Sequence, residues 1–320
     1  MKKYDCIFAG EICIDLPINP IPLDVPIIEH SPIELSSIDY VAGGVVSNGC
    51  MVLSTLGLQA VALGCVGQDV WADVLLEKLH DHGVDISHII SLPEATSACL
   101  VLVGSQGGHC FAYHAGASQK LNASMMLENM DIYHQSRYLM LGYYGLMRSL
   151  TPDLQYVLPK IKKTGCRIAL DAAFGGGKLQ PLDNILPYLD IYIPSYEEAS
   201  QQTGEAEPHK MLQCFRQYSR SDTLLGIKLG ANGALLSPSK GEFITIDPVI
   251  LSSEVKDTTG AGDSFYAGLI AGLIKGYSVE ASAKIASAAG ACCITEIGTI
   301  AGVKNFQQTC QFAGVKVFPT

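Results

Sequence analysis

The stretch Asp257-Thr258-Thr259-Gly260-Ala261-Gly262-Asp263-Ser264-Phe265 runs directly into the apolar segment Tyr266-Ala267-Gly268-Leu269-Ile270-Ala271-Gly272-Leu273. Small residues at 260–262 let the backbone approach a ligand closely and leave several amide N–H groups unpaired where the helix begins. With the positive end of the helix dipole behind it, such a terminus is a site for phosphate. Asp263 falls in the first turn, beside that phosphate, where a carboxylate can take the proton of an attacking hydroxyl. The same residues admit a second reading, in which Asp263 only caps the helix and the glycines only permit tight packing.

Outward from this segment, short β-rich runs alternate with longer helical ones. The pattern predicts strands over 4–9, 60–66, 137–141, 166–170, 190–193 and 223–229. It predicts helices over 46–56, 69–82, 151–164, 196–203, 207–219, 260–275 and 278–295, with Thr151-Pro152 as a helix start. This alternation is the mark of a mostly parallel sheet covered by helices on both faces. Two stretches break it. Residues 11–44 are rich in Pro and Ile, with strand-like pieces near 12–18 and 33–41, and 96–115 reads as a hairpin turning at 104–108. Together they form either a small sheet acting as a lid or a plain edge extension.

DTTGAGDSF followed by a Gly-containing apolar helix resembles the C-terminal signature of the ribokinase-like (PfkB-type) carbohydrate kinase family. Gly43-Gly44-Val45-Val46-Ser47-Asn48 is similar to the family's N-terminal signature, and Leu63-Gly64-Cys65-Val66-Gly67-Gln68-Asp69 follows in the expected order. The resemblance covers essentially the whole chain. It implies a three-layer α/β/α domain with a mostly parallel central sheet and a small β-sheet lid. It also implies a large domain of residues 1–10, 45–95 and 116–320, and a lid of 11–44 and 96–115.

Roles follow from the resemblance residue by residue. Asp263 is the general base, and the backbone of Gly260, Ala261 and Gly262 stabilises the transferring group. Asp15, Gly43, Gly44 and Asn48 bind substrate. Taken alone, Asp15 is equally a solvated strand end and Asn48 a capping residue in a turn. Lys228, Gly230 and Gly233 resemble the strand and turn that border ATP, and Asp257 and Thr259 resemble positions that hold a monovalent cation, usually K+. Glu198 matches the acidic member of a motif linked to magnesium, but Ser195 stands where that motif has Asn. This departure puts magnesium affinity in question and keeps open a non-catalytic binding relative.

Composition narrows the classes. A net charge of −10 over 320 residues excludes an extended nucleic-acid surface. The run Cys6–Ala9 is too short for the core of a signal peptide, and no segment is apolar for the length of a membrane span. Eleven cysteines without CxxC pairs read as reduced core residues of a cytoplasmic protein. His80-Asp81-His82 reads as a solvated helix end. Gly175-Gly176-Gly177-Lys178 lacks the Ser or Thr of a Walker A loop, and no GxGxxG follows the first strand to support a dehydrogenase.

The expectation is transfer of the γ-phosphoryl group of ATP, with Mg2+, to a hydroxyl of a neutral sugar. A nucleoside is the second candidate, with Phe111, Tyr113 or Phe174 available to stack its base. Apolar segments at 12–18, 33–41 and 99–103 predict a homodimer joined through the lid.

Overall fold

The run Ala60–Val66 is buried along its whole length, as a parallel strand covered on both faces must be. The computed structural model describes residues 2–23, 26, 32–104, 109–173, 179–251, 253–296 and 298–318. Its strands are β1 (Tyr4–Gly10), β2 (Cys13–Ile21), β3 (Ser37–Ile38), β4 (Val41–Gly43), β5 (Ala60–Val66), β6 (Asp85–Ser91) and β7 (Ala98–Gly104). There follow β8 (His109–His114), β9 (Ser136–Gly142), β10 (Arg167–Leu170), β11 (Ile191–Tyr192), β12 (Leu224–Lys228), β13 (Ala234–Ser237) and β14 (Ile244–Ile246).

The main sheet has the order β14-β13-β12-β11-β10-β9-β1-β5-β6. It is parallel from β6 to β12, and β13 and β14 join antiparallel at one edge. Side chains alternate between two cores along each strand. Cys6, Phe8, Tyr138 and Met140 pack with the helices Gly44–Thr55 and Ala261–Ile274. Ile7, Ala9, Leu139 and Leu141 pack on the other face with the helices Leu154–Lys162 and Pro208–Arg216. This is the three-layer α/β/α arrangement that the alternation implied.

The second sheet has the order β3-β2-β7-β8, with β4 also on β2. It is built from the two stretches that broke the alternation. The predicted piece 33–41 resolves into the short strands β3 and β4, and the hairpin β7–β8 pairs Cys99 with Tyr113 and Val101 with Phe111. Its turn at 105–108, the side chain of His109 and residues 174–178, which include Phe174 and the glycine run, lie outside the described residues.

Three differences have simple causes. β6 is a half-exposed edge strand, so it lacks a continuous apolar signal. β13 and β14 are short antiparallel additions after the turn at 230–233. The helix expected from Thr151 opens with a 3-10 turn over Thr151–Asp153 and becomes α-helical at Leu154. No helix among the described residues is long and apolar enough to cross a membrane. All the cysteines are free thiols. Cys110 is exposed and Cys214 half-buried, unlike the others, which are buried.

Candidate active site

Parallel α/β sheets bind ligands beyond the carboxyl ends of their strands, and the polar residues of this chain converge there. Glu11 follows β1, Tyr143 follows β9, Asp171 follows β10 and Lys228 ends β12. The helix Ala261–Ile274 brings its N-terminus to the same edge. Gly260 precedes it in the left-handed region at φ 79°, and no side chain caps it. A Cβ at Gly260 would run into the carbonyl of Thr299, so both backbone shape and space require glycine.

Asp263, in the first turn, is 1% exposed. Its Oδ2 accepts hydrogen bonds from Asn48 Nδ2 at 2.8 Å and from the Tyr143 hydroxyl at 2.9 Å. Burial pushes its carboxyl up to about 6; Asp171 adds to the rise, while Asn48, Tyr143 and Lys228 oppose it. A base near 6 is ionised at neutral pH yet stronger than a solvated aspartate.

Lys228 is half-buried, with 16% of its side chain exposed, and pairs with Asp171 at 3.1 Å. Burial works against its charge, but the carboxylates of Asp171 and Glu198 outweigh it and hold its pKa above the ordinary value. A Cβ at Gly262 would lie 3.3 Å from its Nζ. The lysine therefore stands against the uncapped helix terminus, adding a full positive charge to the dipole's partial one. This donor set fits phosphate. Gly230 opens the turn that follows, with free space around it, and Gly233 closes that turn against the Ile246 carbonyl.

Asp15 is 7% exposed, and burial pushes its carboxyl up to about 7. It accepts a hydrogen bond from the Cys13 thiol at 3.3 Å and lies so close to Gly43 that any side chain there would collide with it. Gly44 approaches the Glu11 carbonyl just as tightly. Glu11 accepts from the Tyr113 hydroxyl at 2.6 Å, and burial pushes it up to about 8. Asp15, Val41 and Val101 of the small sheet line one cleft together with Asp257, Thr259 and Thr299.

The remaining sequence candidates have local partners. Ser195 and Glu198 form a capping box at the helix Tyr196–Thr203: Ser195 Oγ accepts from the Glu198 N–H at 3.2 Å, and Glu198 Oε2 accepts from the Ser195 N–H at 2.8 Å. Of this pair, Oε1 of Glu198 is the oxygen outside the capping box and the one best placed to face magnesium. The Asp257 carboxylate accepts from the N–H groups of Thr259 at 2.9 Å and Gly298 at 3.2 Å, and the Thr259 carbonyl accepts from the Cys293 thiol at 3.3 Å. A cation at this loop would draw on backbone carbonyls more than on that carboxylate.

Sequence reasoning missed Tyr143, Asp171 and Glu11. The strand-end rule is the signal that collects them, since each is the first residue past a predicted parallel strand or close to it.

Residues 5–305 match the family described as pfkB family carbohydrate kinase. The chain is 27% identical over 312 residues to the ATP-dependent 6-phosphofructokinase of Thermoanaerobacterium thermosaccharolyticum, covering 93% of this chain and 90% of that protein. It is 28% identical over 270 residues to the ribokinase of Arabidopsis thaliana, covering 81% of this chain and 68% of that one. The structure of Arabidopsis thaliana ribokinase complexed with ribose and ATP superposes with a TM-score of 0.83 at 22% identity, covering 98% and 99% of the two chains. The chain belongs to the pfkB family of carbohydrate kinases.

Proposed function

We propose that this kinase transfers the γ-phosphoryl group of ATP to a hydroxyl of a small neutral sugar, with Asp263 as general base. The carrying observation is an uncapped helix terminus, with Lys228 against it, beside a buried carboxylate. Asp263 takes the hydroxyl proton, the freed oxygen attacks the γ-phosphorus, and ADP departs with the electrons of the broken P–O bond. The N–H groups at Gly260–Gly262 and the Lys228 ammonium offset charge on the transferring group. Gly230 and Gly233 border the nucleotide. Magnesium, when bound, neutralises the nucleotide phosphates, with Glu198 holding it, directly or through water, while Ser195 shapes that end of the helix. K+ at the Asp257–Thr259 loop completes the proposed set.

The acceptor is bound by Asp15 and Asn48 against Gly43 and Gly44. Polarity supports a neutral polyol: Asp15, Glu11 and Asp263 gather acceptors for hydroxyl donors. The lysine lining the cleft, Lys256, is paired with Glu296 at 2.6 Å, so no free cation among these residues stands ready for a substrate phosphate or carboxylate. For a nucleoside, Tyr113 is committed to Glu11.

The small sheet serves as a lid that excludes water, and its outer face joins two copies. Leu100 is 39% exposed, and Cys110 and Ala112 are exposed beside it. These alternate with Cys99 and Val101, which turn inward. A second copy of the same apolar sheet face would cover them. The reading is tested by ADP release with a panel of sugars, sugar phosphates and nucleosides, run beside Asp263→Asn, with the mass in solution measured on the same enzyme. Turnover of only phosphorylated or nucleoside acceptors, or a fully active monomer, overturns the corresponding part.

A further inference from the structure

The two oxygens of Asp263 have different surroundings. Oδ2 accepts from both Asn48 and Tyr143, whereas Oδ1 is buried and has no hydrogen-bond partner among the described residues. Asn48 is carried by the helix Gly44–Thr55. Tyr143 reaches the site from a strained position: it follows Gly142 in the left-handed region, at φ 60° and ψ 41°. A bulky residue is a real outlier there, and such strain persists only where the surroundings over-determine it. The bend lets the Leu146 N–H donate to the Tyr143 carbonyl at 2.8 Å and delivers the phenol to Asp263.

We propose that Tyr143 is a positioning residue for the base: with Asn48 it saturates Oδ2 of Asp263, sets the rotation of the carboxylate and leaves Oδ1 to take the substrate proton. The inference rests on Asp263 being the base. Exchanging the two oxygens would break two charge-assisted hydrogen bonds at once, so the accepting oxygen stays aimed through the catalytic cycle. Tyr143 remains a donor throughout, because burial and the neighbouring Asp263 charge push its own pKa well up.

Removing the phenol hydroxyl has a definite sign. Its hydrogen bond favours the ionised carboxylate, so its loss raises the pKa of Asp263. The other groups facing Asp263 are Asp171, Lys228, Asp15 and Cys293, and Tyr143→Phe leaves all of them in place. Asp15 and Glu11 titrate in the same range, so the effect is read as the difference between variant and wild type.

The test is the pH profile of kcat/KM for the accepted sugar at saturating nucleotide, from about pH 5.5 to about pH 9, with the melting temperature of each enzyme. Tyr143→Phe is expected to move the acidic limb up by about one pH unit and to lower kcat roughly tenfold on the alkaline plateau, with little change in melting temperature. Replacing Tyr143 by 3-fluorotyrosine, a stronger donor, is expected to move the limb down, and decides the matter alone if Tyr143→Phe does not fold. A limb that stays in place overturns the proposal, with or without a loss of rate. Failure of the base assignment shows separately, as near-normal turnover by Asp263→Asn.

Discussion

Two helix N-termini meet near Lys228 and are finished in opposite ways. The helix Tyr196–Thr203 is closed by its own residues, Ser195 and Glu198 satisfying each other's backbone N–H groups. The helix Ala261–Ile274 is left open, entered through a left-handed Gly260 that has no side chain to offer. A capped terminus has spent its donors, whereas an open one keeps both its N–H groups and its dipole for an anion. Both termini carry acidic residues in the first turn, so composition does not separate them. What separates them is whether the carboxylate turns back on its own backbone, as Glu198 does, or toward residues far away in the chain, as Asp263 does.

The sharpest way to break this comparison is Asp263→Asn. The amide keeps the volume and can still accept from Asn48 or Tyr143, but it cannot take a proton. We expect kcat to fall by roughly 10²–10⁴-fold, with nucleotide affinity and melting temperature little changed. Retention of a tenth of the wild-type kcat would return Asp263 to a structural role.

The open terminus lies among carboxyls that burial has pushed upward: Asp263 to about 6, Asp15 to about 7 and Glu11 to about 8. Each binds its proton more tightly folded than unfolded, where values lie near 4. The stability they contribute is therefore complete below about pH 4 and is lost as pH rises through about 6 to 8. The melting temperature should therefore fall between about pH 4 and about pH 8, stability dropping by on the order of 1 kcal/mol per pH unit for each group between its unfolded and its folded value. Glu11→Gln, neutral throughout, should flatten that slope; an unchanged slope would mean that Glu11 is already ionised in the folded protein.

The smallest effect belongs to the closed terminus. Ser195→Ala removes one half of the capping box and should cost about 1 kcal/mol of stability, measured by denaturant unfolding, while kcat stays close to wild type. Ser195→Asn, which restores a capping side chain, should recover the loss. A collapse of kcat in Ser195→Ala without a loss of stability would show that the serine serves the phosphates and not the helix.

Much of the fold was legible because its signals are local and periodic. The buried run Ala60–Val66 and the apolar helix after Asp263 announce a doubly covered sheet without reference to anything distant. The half-exposed β6 and the short β13 and β14 carry no such signal, and packing decides them. In the site, Gly260 and Asp263 could be marked from the motif alone. Tyr143 could not, because a tyrosine after an apolar strand reads as core until its backbone is seen to turn left-handed.

The sequence by itself determined the covering of the sheet, the glycine-rich start of the helix at 260–262 and the residue types around it, since each depends on neighbours within a turn or a strand; that this terminus is uncapped came from the structure. Only the tertiary structure decided how those residues behave. Asn48 lies 215 residues from Asp263 in the chain and Tyr143 lies 120 away, yet they hold the same oxygen. The basicity of that carboxylate and the charge on Lys228 depend on burial and on partners from several strand ends. Electrostatic interactions in a water-poor interior are set by distance through space, which the order of residues along the chain does not contain.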